Sequence, residues 1–255
     1  MYSSLSPKII PIISAKSNIT EVIIDPDTIV RTRTFGVTKD NIKVEIKVFI
    51  DGKNVDNDEY NFSIENNKSL NIPICKKFSY LDNGYLEIYV SSKSPIFRRV
   101  IPEPGYATLK MGNSSIVINP DIKFGRSRLI AQTQNLTNFC MVHSAILIDK
   151  INNIKNSFLI INPYEKKITV KLTSQIGKSL KQTLIPHTVS LVDLSKLIDE
   201  ESSSIEAVML SAPNRVVVYD IKHKYDDINN IYSIDHLDPY SGRTTYHEFS
   251  LKGFL

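Results

Sequence analysis

The sequence predicts an all-β protein built as two tandem antiparallel β-sandwiches, immunoglobulin-like or jelly-roll-like, with little helix. Three observations carry this. The 255 residues include 36 Ile against 6 Ala. A β-branched side chain packs well on a pleated surface, whereas Ala is the strongest helix former. Several short runs alternate apolar and polar residues with the period of a strand that buries one face. Such runs recur at roughly 8–12-residue intervals between turn signals, the spacing of a sandwich or barrel. Alternating βαβ patterning is missing, which argues against doubly wound and TIM-barrel folds.

The clearest strand covers 42–50, where Ile42, Val44, Ile46 and Val48 alternate with Lys43, Glu45 and Lys47. It runs into Asp51-Gly52, a dipeptide that favours a tight hairpin because both positions tolerate positive φ. The return strand is expected around Tyr60 to Glu65. Asp82-Asn83-Gly84 makes a further turn into a strand over 85–90. The segment Ile101-Pro102-Glu103-Pro104-Gly105 breaks any ladder and stiffens a link. It sets the expected domains at 1–102 and 103–255.

Beyond it, strands are expected near 106–111, 114–118, 128–133, 139–149, 156–162, 167–173, 180–185, 188–192, 205–211, 215–221 and 246–251. Turn signals bound them, among them Met111-Gly112-Asn113, Asn152-Asn153, Asn162-Pro163 and Ile176-Gly177. One short helix is expected near 194–201. From 156 to 194 the order of turns and alternation, Asn-Pro, Val-x-Leu, Gly, Ile-Pro and Val-x-Leu, resembles the pattern of many unrelated immunoglobulin-like modules. The resemblance carries no functional residue and bears on fold class alone.

Composition narrows the function classes. Hydrophobic residues make up 42% and charged residues 23%, values of an ordinary globular chain and not of a disordered one. No window approaches the ~18 consecutive apolar residues of a spanning helix. Residues 1–8 lack a basic stretch followed by an apolar core, so no signal peptide is read. The expected setting is therefore the cytoplasm or a virion or other assembly. The net charge of +4 is spread over short basic pairs such as Lys76-Lys77 and Arg98-Arg99, not drawn into the stripe of a nucleic-acid surface. Cys75 and Cys140 have neither a CxxC partner nor a His at metal spacing and read as buried thiols.

The densest polar cluster lies at the C-terminal end. His236-Leu237-Asp238 spells the H-x-D half of a two-His, one-carboxylate site, and His247 follows nine residues later. Such a site needs three groups facing one divalent metal, with His143 or His223 as further ligands. Tyr232, Tyr240, Arg243 and Tyr246 combine flat ring faces with a polar group, the make-up of a glycan site. Tyr225 adds a further ring. The acidic run Asp51 to Glu59 supplies oxygens of the kind Ca²⁺ takes, without the order of an EF-hand. Walker A, G-x-G-x-x-G, G-x-S-x-G and H-E-x-x-H motifs are absent from the sequence, and nothing in it nominates a Ser-His-Asp triad.

The expected function is a non-catalytic component that builds or joins an assembly such as a virion, an appendage or an envelope layer. Its partners are proteins or further copies of itself, with no cofactor beyond that divalent metal. A carbohydrate- or protein-binding module is the alternative, and a metal-dependent enzyme using His236, Asp238 and His247 the second.

Overall fold

The computed structural model describes residues 2–3, 7–13, 18–24, 41–63, 70–73, 84–92, 106–111, 114–122, 139–149, 151–198, 205–213 and 216–237. Over them the chain is nearly all β, in several antiparallel sheets. It divides into two compact units, Met1–Arg128 and Leu129–Leu255.

The first unit holds β1 (Tyr2–Ser3), β2 (Lys8–Ile12), β3 (Asn18–Ile24), β4 (Asn41–Ile50), β5 (Lys53–Ser63), β6 (Leu70–Pro73), β7 (Gly84–Ser92), β8 (Tyr106–Met111), β9 (Ser114–Ile118) and β10 (Asp121–Ile122). One sheet has the order β10-β2-β7-β4-β5, with β1 also on β7, and another the order β6-β3-β8-β9. The expected 102/103 boundary lies in a segment outside the described residues. Strands on its C-terminal side pair with strands on its N-terminal side: β8 pairs with β3 and β10 with β2.

The alternation in β4 does what it predicts. Val44, Ile46 and Val48 are buried, while Lys43, Glu45 and Lys47 are only partly covered. Asp51 and Gly52 take φ of 49° and 78°, the left-handed pair of a type I′ turn, and Ile50 faces Lys53 across it. The return strand therefore starts at Lys53 and not near Tyr60. A two-residue turn reverses the chain at once, and the polar run that follows is tolerated because, among the described residues, β5 pairs with β4 alone and lies at the sheet edge.

Gly84 opens the central strand β7, facing Ile12 on one side and Ile50 on the other. An added Cβ there would stand 2.5 Å from the carbonyl oxygen of Phe49. Beside it the rings of Phe49 and Tyr85 stack 4.9 Å apart.

The second unit holds β11 (Phe139–Asp149), β12 (Ile154–Ile161), β13 (Ile168–Ser174), β14 (Ser179–Leu184), β15 (Val189–Asp193), β16 (Ile205–Ala212), β17 (Val217–Lys224) and β18 (Asp227–His236). The order is β14-β13-β16-β11-β12-β17-β18, with β15 also on β12. β11 links two ladders. Residues 139–147 pair with β16, and Ile148 and Asp149 pair with β12. One buried cluster draws on both ladders: Phe158, Ile160 and Val218 from the β12–β17 pair, Val170, Leu172 and Leu210 from the β13–β16 pair.

Buried Asn162 ties the β12 end to the β14–β15 turn. Its Nδ2 donates to the carbonyls of Lys166 (2.7 Å) and Ile185 (3.0 Å), and its Oδ1 accepts from Tyr164 N at 3.2 Å. The helix expected near 194–201 is a single 3-10 turn, Leu194–Leu197. Asp193 caps it by accepting from Ser195 N at 2.9 Å, and Ile198 returns to extended backbone. The strands expected at 128–133 and 246–251, and Cys75, lie outside the described residues.

Gly84→Ala is expected to destabilise the first unit by about 1–3 kcal/mol, since backbone must move to admit the methyl group. Asn162→Ala is expected to cost the second unit about 1–3 kcal/mol by orphaning buried carbonyls. Denaturant midpoints of the two variants check both.

Candidate functional site

Polar side chains concentrate where β12, β15 and β17 meet. The sequence there is Lys155-Asn156-Ser157 ahead of the apolar run Phe158–Ile161. Strand alternation sends Asn156 to the face of the buried cluster and Lys155 and Ser157 to the other. Register then chooses the partners. Ser157 stands opposite Asp193 on β15 and Ile221 on β17, and Lys155 stands opposite His223.

Ser157 and His223 are each 2% exposed. Ser157 Oγ lies 2.9 Å from His223 Nε2, and His223 Nδ1 lies 2.7 Å from the Lys224 carbonyl oxygen. A carbonyl only accepts, so Nδ1 carries the proton and Nε2 accepts from the Ser157 hydroxyl. Burial pushes the His223 pKa below the ordinary histidine value. The positive charge of Lys155 adds to this, and the hydrogen bond to the Lys224 carbonyl opposes it.

Lys155 Nζ pairs with Asp193 Oδ2 at 2.9 Å and sits 4.7 Å over the Tyr225 ring. Burial works against ionisation of Asp193, but hydrogen bonds from Ser195 and Lys155 hold its carboxyl below the usual carboxylate value. On the opposite face both carboxylate oxygens of buried Asp220 accept from Asn156 Nδ2, at 2.7 and 2.8 Å.

The Ser157–His223 contact is the nucleophile–base half of a hydrolytic site. Two facts set its chemistry here. Both side chains are sealed from solvent, and the acidic member of a triad is replaced by a backbone carbonyl. Asp193 is close by, yet it is spent on Lys155 and on capping the 3-10 turn. The cluster satisfies buried polar groups and fixes the strand register; it presents no accessible nucleophile.

The residues singled out in the sequence fare differently. Tyr232 is 50% exposed. It is the extra residue of a bulge, because Lys222 pairs with Ser233 and His223 with Ile231, and a bulge re-aims a side chain. His236 meets Tyr219 edge-on, with ring centres 6.5 Å apart. Asp238, Tyr240, Arg243, Tyr246 and His247 lie outside the described residues, so neither cluster is assembled or dispersed among those described. His223, named as a further ligand, has both ring nitrogens engaged. His143 lies on β11.

The acidic run on β5 does not converge on one point. Asp56 accepts from Asn57 N, Asp58 accepts from the Tyr60 hydroxyl, and Glu59 pairs with Lys43. Among the described residues no group of three or more His, Cys, Asp and Glu side chains is placed to hold a metal ion. None of their helices is long and apolar enough to cross a membrane.

Sequence reasoning missed the Ser157–His223 and Asn156–Asp220 pairs. A signal was present for Asp220, which stands between Tyr219 and Ile221 at the end of the apolar run 216–219, and a polar group inside such a run must be paired; His223, between Lys222 and Lys224, gave none. No family model matches the chain, and no curated protein matches it significantly.

His223 yields a pH dependence. Its folded pKa is depressed, so the unfolded chain binds the proton more readily. Stability is complete above the unfolded value, ~6.5, and falls as pH drops from there toward the folded value. The unfolding midpoint of the wild type is expected to decline more steeply between about pH 7 and 5 than that of His223→Gln. Ser157→Ala is expected to cost about 1–3 kcal/mol at pH 7 by leaving Nε2 unpaired, measured by the same unfolding curves.

Proposed function

We propose that the protein is a structural component of an assembly such as a virion, an appendage or an envelope layer. In this reading two tandem β-sandwiches present their strand edges to protein partners or to further copies of the chain. Two ladders sharing one buried cluster support a sandwich in the second unit.

The observation that carries the function is where exposed large apolar side chains lie. Among the described residues those within strands are Val55, Val117, Leu191 and Tyr232. They belong to β5, β9, β15 and β18, each of which, among the described residues, pairs along one side only. An edge strand offers unpaired backbone groups that template a partner strand. Apolar side chains on that same edge give an incoming strand surface to bury. Further exposed apolar residues sit in turns: Ile151 between β11 and β12, Ile176 between β13 and β14, and Ile185 between β14 and β15.

Tyr232 favours a second reading, a glycan- or protein-binding module, because its bulge aims a ring face outward beside the stretch bearing Tyr240, Arg243 and Tyr246. Light scattering on a sizing column, with metal content read on the same peak, separates these readings. A mass that rises with concentration to a multiple of 28.9 kDa is the expected result. A metal-free monomer at every concentration would overturn assembly through like copies and favour the binding module. Stoichiometric metal lost in His236→Ala would favour the enzyme.

A further inference from the structure

We infer that copies of this chain join head to tail, with edge strand β5 of one copy adding to edge strand β14 of the next. This rests on the assembly reading and names its partner and surface.

The hairpin of β13 and β14, with the turn before it, covers 165–184. It carries Lys166, Lys167, Lys171, Lys178 and Lys181 against Glu165 alone. Glu165 is already set 2.8 Å from His187 Nε2. On the exposed face Thr169 stands opposite Thr183, Lys171 opposite Lys181, and Thr173 opposite Ser179. Like charges directly opposite on neighbouring strands repel. Among the described residues neither Lys171 nor Lys181 has a carboxylate within ion-pair distance. Among the described residues β14 is the end of its sheet, so it offers a row of backbone groups beside the positive charges of Lys171 and Lys181. An occupant that meets both needs is a strand that carries carboxylates and has an open edge of its own.

β5 meets that description. Among the described residues it lies at the end of its own sheet, and with its turn it carries Asp51, Asp56, Asp58 and Glu59 against Lys53, with Glu59 also paired to Lys43 of β4. Val55, Asn57, Glu59 and Asn61 are exposed along it. At 11 residues it is long enough to span the 6 residues of β14. The charges also reject the like pairings. β14 against β14 sets lysine against lysine, and β5 against β5 sets carboxylate against carboxylate. The unlike pair is left, which is specificity by repulsion of the alternatives.

The test uses two full-length charge-reversal variants, K171E/K181E and D56K/E59K. Each then has two edges of one sign. Each alone is expected to associate at least about tenfold more weakly than the wild type. An equimolar mixture is expected to recover wild-type association, because every contact again joins opposite signs. Raising salt from about 50 to 500 mM should weaken the wild-type contact. Hydrogen exchange should show residues 53–63 and 179–184 gaining protection on association. If the wild type associates but both variants do so equally well, the β5–β14 contact is wrong while the assembly reading survives. A wild type that stays monomeric overturns both. If a variant fails to fold, protection absent from 53–63 and 179–184 in the associated wild type overturns the contact.

Discussion

The second unit depends on one constraint: β12 is buried on both faces. Phe158, Leu159, Ile160 and Ile161 are consecutive, and each is 2% exposed or less. Burying such a side chain is worth roughly 1.5–3 kcal/mol, and a strand gains this at successive positions only from the interior. That placement determines its neighbours. β17 runs along one side of it, and β11 and then β15 along the other. It also dictates the chemistry of the strand's polar end. Asn156 and Ser157 are carried inside with the rest, and an unpaired polar group there costs about as much as a buried side chain gains. Asp220, His223 and the Lys155–Asp193 pair follow from that need. What looks at first like half of a hydrolytic site is the means by which an interior strand keeps its register.

The outer strands obey the opposite rule. β5 and β14 alternate exposed with half-buried positions along most of their length, and apart from Val55 their outward residues are polar. Charged edges are the usual guard against indiscriminate pairing. Here the guard differs in sign between the two units, acidic on β5 and basic on β14. An edge strand that repels its own kind still accepts a strand of the other sign. The apolar residues Val55 and Ile176, exposed beside those charges, give the accepted strand something to bury.

Parts of this were legible in the sequence, and the physics explains which. The β4–β5 hairpin was legible because alternation and Asp51-Gly52 are local signals that burial and turn geometry both enforce. Its length was not, because an edge strand does not need apolar residues over 53–59, so β5 carries no periodic signal there. Pairings such as β3 with β8 and β2 with β10 were not legible, because they join strands far apart in sequence. Ser157 and His223 are 66 positions apart, and only the pairing of β12 with β17 brings them together. Each lies in a polar stretch of its strand, Lys155-Asn156-Ser157 and Lys222-His223-Lys224, so nothing local marked either as buried or as the other's partner.

Symmetry carries the argument a step further. A twofold dimer uses the same patch on both copies, so it would set β14 against β14 or β5 against β5. Either choice brings strands of like net charge together and leaves Lys171 and Lys181 without a carboxylate. A contact between β5 and β14 joins unlike patches and leaves one open edge of each kind at the ends of every pair. Such a contact repeats until the rotation between successive copies closes a ring or the chain of copies runs on as a filament. In the proposed contact, the charge on two edge strands would thus favour a repeating array over a closed pair.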